Sequence, residues 1–138
     1  MRVLGIDFGE ARMGIAVSDP TGFLASGIGT VKVTGFRSAV EAAVKAAKDN
    51  NAELIVVGLP VNMDGSCGER AEKCRSFAKE VAEKSGIKTE MYDERRTTIL
   101  AAGFMNETGT YGKKRKDAID TLSAQIILQS YLDRNKAF

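Results

Sequence analysis

The stretch GIDFGEARMGIAVSD, residues 5–19, decides how this chain is to be read. An apolar strand pattern over residues 2–8 carries one acid, Asp7, set between Gly5 and Gly9. The turn Gly9-Glu10-Ala11-Arg12 follows, and a second strand pattern runs over 13–19. A carboxylate near the end of a buried strand is costly unless something cationic meets it. So short a turn makes the two strands antiparallel. A third strand pattern near 26–33, after the turn Asp19-Pro20-Thr21-Gly22, extends them into a meander.

Outward from this start the pattern changes period. Ala39, Val40, Ala43, Val44 and Ala47 recur at helical spacing between Phe36 and Asp49, with Lys45 and Lys48 facing out. LIVVGLP, residues 54–60, is a continuous apolar run closed by Gly58 and Pro60, as suits a parallel strand buried on both faces. Ser66 and Glu69 form a capping-box pattern ahead of a helix that turns Ala71, Cys74, Ala78 and Val81 inward and stops near Gly86. KTEMYD, residues 88–93, is a further strand. After Thr97-Thr98, ILAAGFMNE reads as a short helix, and NETGTYGKKRK, residues 106–116, as a mobile surface loop with four cations. The last helix runs from about Asp117 to Leu132, with Ile119, Leu122, Ile126 and Ile127 on its apolar side.

Three meander strands followed by alternating helix and strand predict an α/β fold. Its mixed five-stranded sheet combines the antiparallel meander with parallel strands and carries helices on both faces. At 138 residues the chain fits one compact domain spanning 1–138.

Composition narrows the chemistry. There is no histidine, which removes Ser-His-Asp and Cys-His catalysis and every His-ligated zinc site. Hard, oxygen-ligated cations such as Mg²⁺ or Mn²⁺ remain. With 20 Lys+Arg against 18 Asp+Glu the net charge is +2, so local clustering of charge, not the total, must announce any polyanionic partner. No run approaches the roughly 18 to 20 apolar residues a membrane span needs, and Met1-Arg2-Val3 leads straight into a strand, so a cytoplasmic location without membrane contact is expected. Cys67 and Cys74 fall on one expected helix, about 10 Å apart along its axis, and are expected to be reduced.

Acids recur where an open sheet gathers ligands, at the carboxyl ends of its strands. Asp7 ends the first strand, Asp93-Glu94 ends the last, and Asp117 and Asp120 begin the final helix. Carboxylates held close together repel, and one or two divalent ions relieve them. A pair of Mg²⁺ ions can activate water on one side of a phosphodiester and stabilise the leaving oxygen on the other. Each acid has a plainer use as well. Asp7 could accept backbone N–H groups of its own turn, Asp93 and Glu94 could pair with Arg95 and Arg96, and Asp117 or Asp120 could complement the helix dipole, a role that suits Asp117 better. Arg12 and Arg95 lie beside the acids, and Lys113, Lys114, Arg115 and Lys116 form a cationic block; all six are candidate phosphate contacts. GLPVNMDGS, residues 58–66, could turn a helix N-terminus toward a phosphate or serve only as a turn.

GIDFGEARMGIAVSD, IVVGLPVNMDGS, YDERRTT and KDAIDTLSAQIILQSYL resemble, in order, the motifs of the YqgF family, also called RuvX, of Holliday junction resolvases or pre-16S rRNA processing nucleases. The likeness covers nearly the whole chain. It departs at Arg96, where an apolar residue is usual, and at Ser123, where alanine is frequent. The resemblance implies an RNase H-like fold and phosphodiester hydrolysis with Mg²⁺ or Mn²⁺, two ions in all. The family's acidic positions fall on Asp7, Glu94 and Asp120, with Asp93 as a neighbouring ligand. It implies a nucleic-acid partner, either a ribosomal RNA precursor or branched DNA. Symmetric cutting of a four-way junction would further favour a homodimer. Two other classes compete with the nuclease: a module of ribosome biogenesis or transcription that binds nucleic acid without cutting it, and an ATP-binding domain of the actin and Hsp70 type, which would need a second such domain.

Overall fold

The computed structural model describes residues 1–9, 11–60, 68–94 and 112–135, with the side chains of the last segment described from 119 onward. Strands β1 (Val3–Asp7), β2 (Arg12–Ser18) and β3 (Ala25–Lys32) form the meander. Helix α1 (Phe36–Asp49), strand β4 (Leu54–Leu59), helix α2 (Glu69–Ser85), strand β5 (Lys88–Asp93) and helix α3 (Gly112–Arg134) follow.

The five strands make one sheet in the order β3-β2-β1-β4-β5. β1 is central, antiparallel to β2 with Asp7 opposite Gly14, and parallel to β4 with Ile6 opposite Val57. β5 adds in parallel to β4, with Gly58 opposite Tyr92. The mixed sheet is therefore as the residue patterns predict, and Asp7 stands at the carboxyl end of its middle strand.

Alternation along each strand builds two cores. On one face Leu4, Ile6, Phe8, Met13, Ile15, Ile55 and Val57 pack with Val40 and Ala43 of α1 and Phe77 and Val81 of α2. Phe8 stacks on Phe77 with ring centroids 4.4 Å apart. On the other face Val3, Ala16, Leu54, Val56 and Tyr92 pack under Ala124, Ile127, Leu128 and Leu132 of α3. β4 feeds both cores, which is why its sequence runs apolar without a break.

Three local expectations are corrected. The last helix begins at Gly112, so Lys113, Lys114, Arg115 and Lys116 occupy its opening turns and not a loop. Lys and Arg are good helix formers, and past Gly112 the segment holds no breaker. Its buried stripe is Ala124, Ile127, Leu128 and Leu132, whereas Ile119 is 39% exposed and Leu122 and Ile126 are half-buried. α2 starts at Glu69 with Gly68 as N-cap and no side-chain cap bond, so Glu69 does not hold the third helical position that a capping box requires. The helix does stop at Gly86, in the left-handed conformation at φ 70°. Ser66, Cys67, Thr97-Thr98 and the short helix expected over ILAAGFMNE lie outside the described residues. Among the described residues no helix is long and apolar enough to cross a membrane.

Candidate active site

α3 reaches its place because the sheet beneath it is stripped of side chains. A Cβ on Gly14 would stand 1.9 Å from the backbone carbonyl oxygen of Asp120, and one on Gly5 would stand 2.7 Å from Leu128 Cβ. On β3, Gly27 similarly leaves room for Thr121. Polar contacts then fasten the helix along the sheet edge. The hydroxyls of Thr30 and Thr121 lie 2.8 Å apart, the Gln125 amide donates to the Ala25 carbonyl at 3.1 Å, and the Ala25 N–H donates to Gln129 at 2.8 Å.

This contact brings the acids together. Gly14 is the β2 partner of Asp7, so the backbone of Asp120 rests over the residue beside Asp7. On the other flank Gly58 follows the Val57 that pairs with Ile6, and Glu94 Oε1 lies 3.2 Å from where a Gly58 Cβ would be. Two glycines thus open the space on either side of Asp7, and Asp120 and Glu94 enter it from α3 and from the end of β5.

The electrostatics follow from that crowding. Burial pushes the Asp7 carboxyl up to about 7, the negative charge of Glu94 adds to the rise, Arg70 opposes it, and Asp120 adds a smaller increment. Burial also raises Glu94, against the pull of Arg70 and with the push of Asp93. Arg12 Nε stands 3.0 Å from Asp120 Oδ2 as an ion pair, but its N–H is not aligned with the oxygen. Asp120 Oδ2 is consequently a buried oxygen with no hydrogen-bond donor among the described residues. Cys74, buried below, has its thiol pushed up to about 11 by burial and then by Glu94, which keeps it protonated and unreactive.

A cleft of about 590 Å³ opens in front of Asp7 and Asp120, and Arg12, Glu69, Arg70 and Lys73 share its lining. Arg70 and Lys73 escaped the sequence reading. The signal for them was the spacing in GERAEK, which sets two cations one turn apart at the start of the helix after the GLP turn. Of the expected site residues, Asp7, Asp120 and Arg12 meet in this cleft, Glu94 adjoins Asp7 electrostatically, and Asp93 adjoins Glu94. Arg95 lies outside the described residues; Lys113, Lys114, Arg115, Lys116 and Asp117 are described only as backbone of α3.

Would a divalent ion fit? Among the described residues no three His, Cys, Asp or Glu side chains form a group that could hold one. The donor set nevertheless has the right chemistry. It is all carboxylate oxygen, it includes a buried oxygen that lacks a donor among the described residues, and the charges of Glu94 and Asp120 both raise the proton affinity of Asp7.

A five-stranded mixed sheet with a central acid-ended strand and a helix laid across it defines an RNase H-like fold. RuvC of Thermus thermophilus, solved in complex with a Holliday junction substrate, superposes with a TM-score of 0.62 at 14% identity, over 99% of this chain and 98% of that one. The Fowlpox virus resolvase, in complex with its substrate Holliday junction DNA, gives 0.57 at 14% identity over 97% and 98%. At such identity the likeness is one of fold.

Sequence carries the assignment further. The family model described as "RuvX: Holliday junction resolvase" matches residues 1–134, and the chain belongs to that family. A Myxococcus xanthus protein named "Putative pre-16S rRNA nuclease" is 40% identical over 136 residues, spanning 99% of this chain and 90% of its own length. A Clostridium novyi protein of the same name is 42% identical over 133 residues, spanning 96% and 98%.

Proposed function

We propose that this chain, a single domain over residues 1–138, is an endonuclease that hydrolyses nucleic-acid phosphodiesters with Mg²⁺ or Mn²⁺. Its substrate is the 5′ end of a pre-16S rRNA, a Holliday junction, or both. The observation that supports this reading is the approach of half-buried Asp7 and Asp120 in one cleft at the end of β1, with Glu94 near enough for its charge to raise the Asp7 carboxyl. Among the described residues Arg70 and Arg12 offset that repulsion only in part: the Asp7 carboxyl still stands near 7, and the Asp120 oxygen beside Arg12 has no donor. Asp7, Glu94 and Asp120 would hold the ions, with Asp93 in reserve. The chemistry such ions supply when bound is activation of water and stabilisation of the leaving oxygen. Arg12 orients Asp120, and the cationic first turns of α3, with Arg95, hold the substrate backbone without reading its sequence. In the cell the reading places the protein in the cytoplasm, with a homodimer where a two-fold junction is cut.

The test is side-by-side incubation of the protein with a synthetic four-way junction and a precursor rRNA fragment, in Mg²⁺, Mn²⁺ or chelator. Cleavage that needs the metal and is lost in Asp7→Asn and Asp120→Asn, with binding kept or tightened, is the expected result. Cleavage unchanged in Asp7→Asn removes that residue from the chemistry.

One observation favours a second reading, a module that binds nucleic acid without cutting it: among the described residues no three acids form a group that could hold one ion. That reading predicts tight binding of either substrate with no metal-dependent product.

A further inference from the structure

The cleft in front of Asp7 has a second wall that the acids do not use. Arg70 and Lys73 stand one turn apart on α2 and both line it, facing Asp7, Asp120 and Arg12. We propose that Arg70 and Lys73 are substrate-holding residues that grip a backbone phosphate of the bound strand, opposite the acid cluster. This rests on the nuclease reading, and three observations carry it.

Arg12, the other cation in the cleft, is committed to Asp120 at 3.0 Å. Arg70 is exposed, and among the described residues it makes no ion pair within 4.0 Å and no side-chain hydrogen bond. It shares the cleft with Asp7, and its charge reaches both Asp7 and Glu94 without an ion pair to either. A fixed cation beside acids that bind divalent ions works against that binding. Its place there is accounted for by an anion that arrives with the ions, and a phosphodiester is that anion. Glu69 on the same wall is the first residue of α2, where a carboxylate complements the helix dipole, and Arg70 and Lys73 together leave the wall positive. The guanidinium fork of Arg70 suits two oxygens of one phosphate, and Lys73 adds a point charge.

A merely structural role, as a standing countercharge to Asp7 and Glu94, predicts something different, and salt dependence separates the two. Binding of a labelled four-way junction and of a labelled single-stranded pre-16S fragment is followed by anisotropy in chelator across a salt series. The proteins compared are wild type, Arg70→Gln, Arg70→Lys, Lys73→Gln, the double Gln variant, and Lys79→Gln, an exposed lysine of α2 outside the cleft. Each Gln change should lower the slope of log K against log salt by about 0.9 on the junction and about 0.7 on the single strand, additively in the double variant. Arg70→Lys should keep the slope, and Lys79→Gln should leave it as it was. Unchanged slopes, with cleavage still dependent on Asp7, overturn the inference and leave the nuclease reading standing. Reduced slopes with neither substrate cut uphold the inference and remove the nuclease reading. If wild type binds neither probe, the inference falls.

Discussion

Asp7 is the residue at which folding and the proposed chemistry oppose each other. In the unfolded chain its carboxyl has an ordinary value of 3.8, and in the metal-free fold it rises to about 7. The folded state thus favours the protonated form. Below the unfolded value both states are protonated and no penalty exists; the penalty grows between the two values and is complete above 7, reaching about 4 kcal/mol at most. Asp7→Asn should therefore raise the thermal midpoint of the metal-free protein, little near pH 4 and most at pH 8, as read by unfolding in chelator. A lower midpoint at pH 8 would mean that the ionised carboxylate is net stabilising. The sequence exposed this residue because a lone acid in an apolar strand is conspicuous. Arg70 stayed hidden for the opposite reason: its spacing from Lys73 in GERAEK is a weak signal among many cations, and only the fold sets it in the same cleft as Asp7.

At the scale of the element, the seating of α3 on Gly5 and Gly14 fixes the geometry of the site. Gly14→Ala sets a methyl against a backbone carbonyl, which cannot rotate away, so the helix itself must lift. A loss of about 1–3 kcal/mol or more in urea unfolding is expected, with a further loss of cleavage because Asp120 moves with the helix. Gly27→Ala makes its tight contact with a side chain, the Thr121 methyl at 2.6 Å, and meets backbone only at 3.9 Å, so it should cost less in both measurements. The strands and α1 were legible because each has a clear period or, in β4, an unbroken apolar run, with turn formers near its ends. The start of α3 was not: a run of like charges looks like a solvated loop, and the block from Lys113 to Lys116 becomes helical because α3 docks on the sheet downstream. Of the apolar side expected for α3, Ile127 is buried in the core, whereas Ile119, Leu122 and Ile126 are not. Periodicity names the large residues, whereas a glycine-lined sheet selects Ala124 and the helix backbone for the closest approach.

At the scale of the molecule, net charge of +2 leaves attraction of a polyanion to local groups. The acids sit at one end of the sheet, and the cationic turns of α3 immediately precede Asp120 along the helix. Replacing Lys113, Lys114, Arg115 and Lys116 with Gln should weaken binding of both substrates alike and flatten the salt dependence, while leaving the thermal midpoint within a few degrees. An unaltered salt slope would show that these residues do not touch the substrate. The convergence of acids from both ends of the chain was legible because a central first strand dictates it. Their separations were not, since these depend on which strand positions are bare.

The order in which the polypeptide is made gives the covering of the sheet a temporal meaning. All five strands leave the ribosome before α3, yet Val3, Ala16, Leu54 and Val56 find their apolar cover only under it. A nascent chain halted before Gly112 would hold a half-clad, sticky sheet and an Asp7 with no Asp120 beside it. If the proposed nuclease site is right, a protein whose target includes the precursor of the translating machine would be inert throughout its own synthesis, and armed only by its last helix.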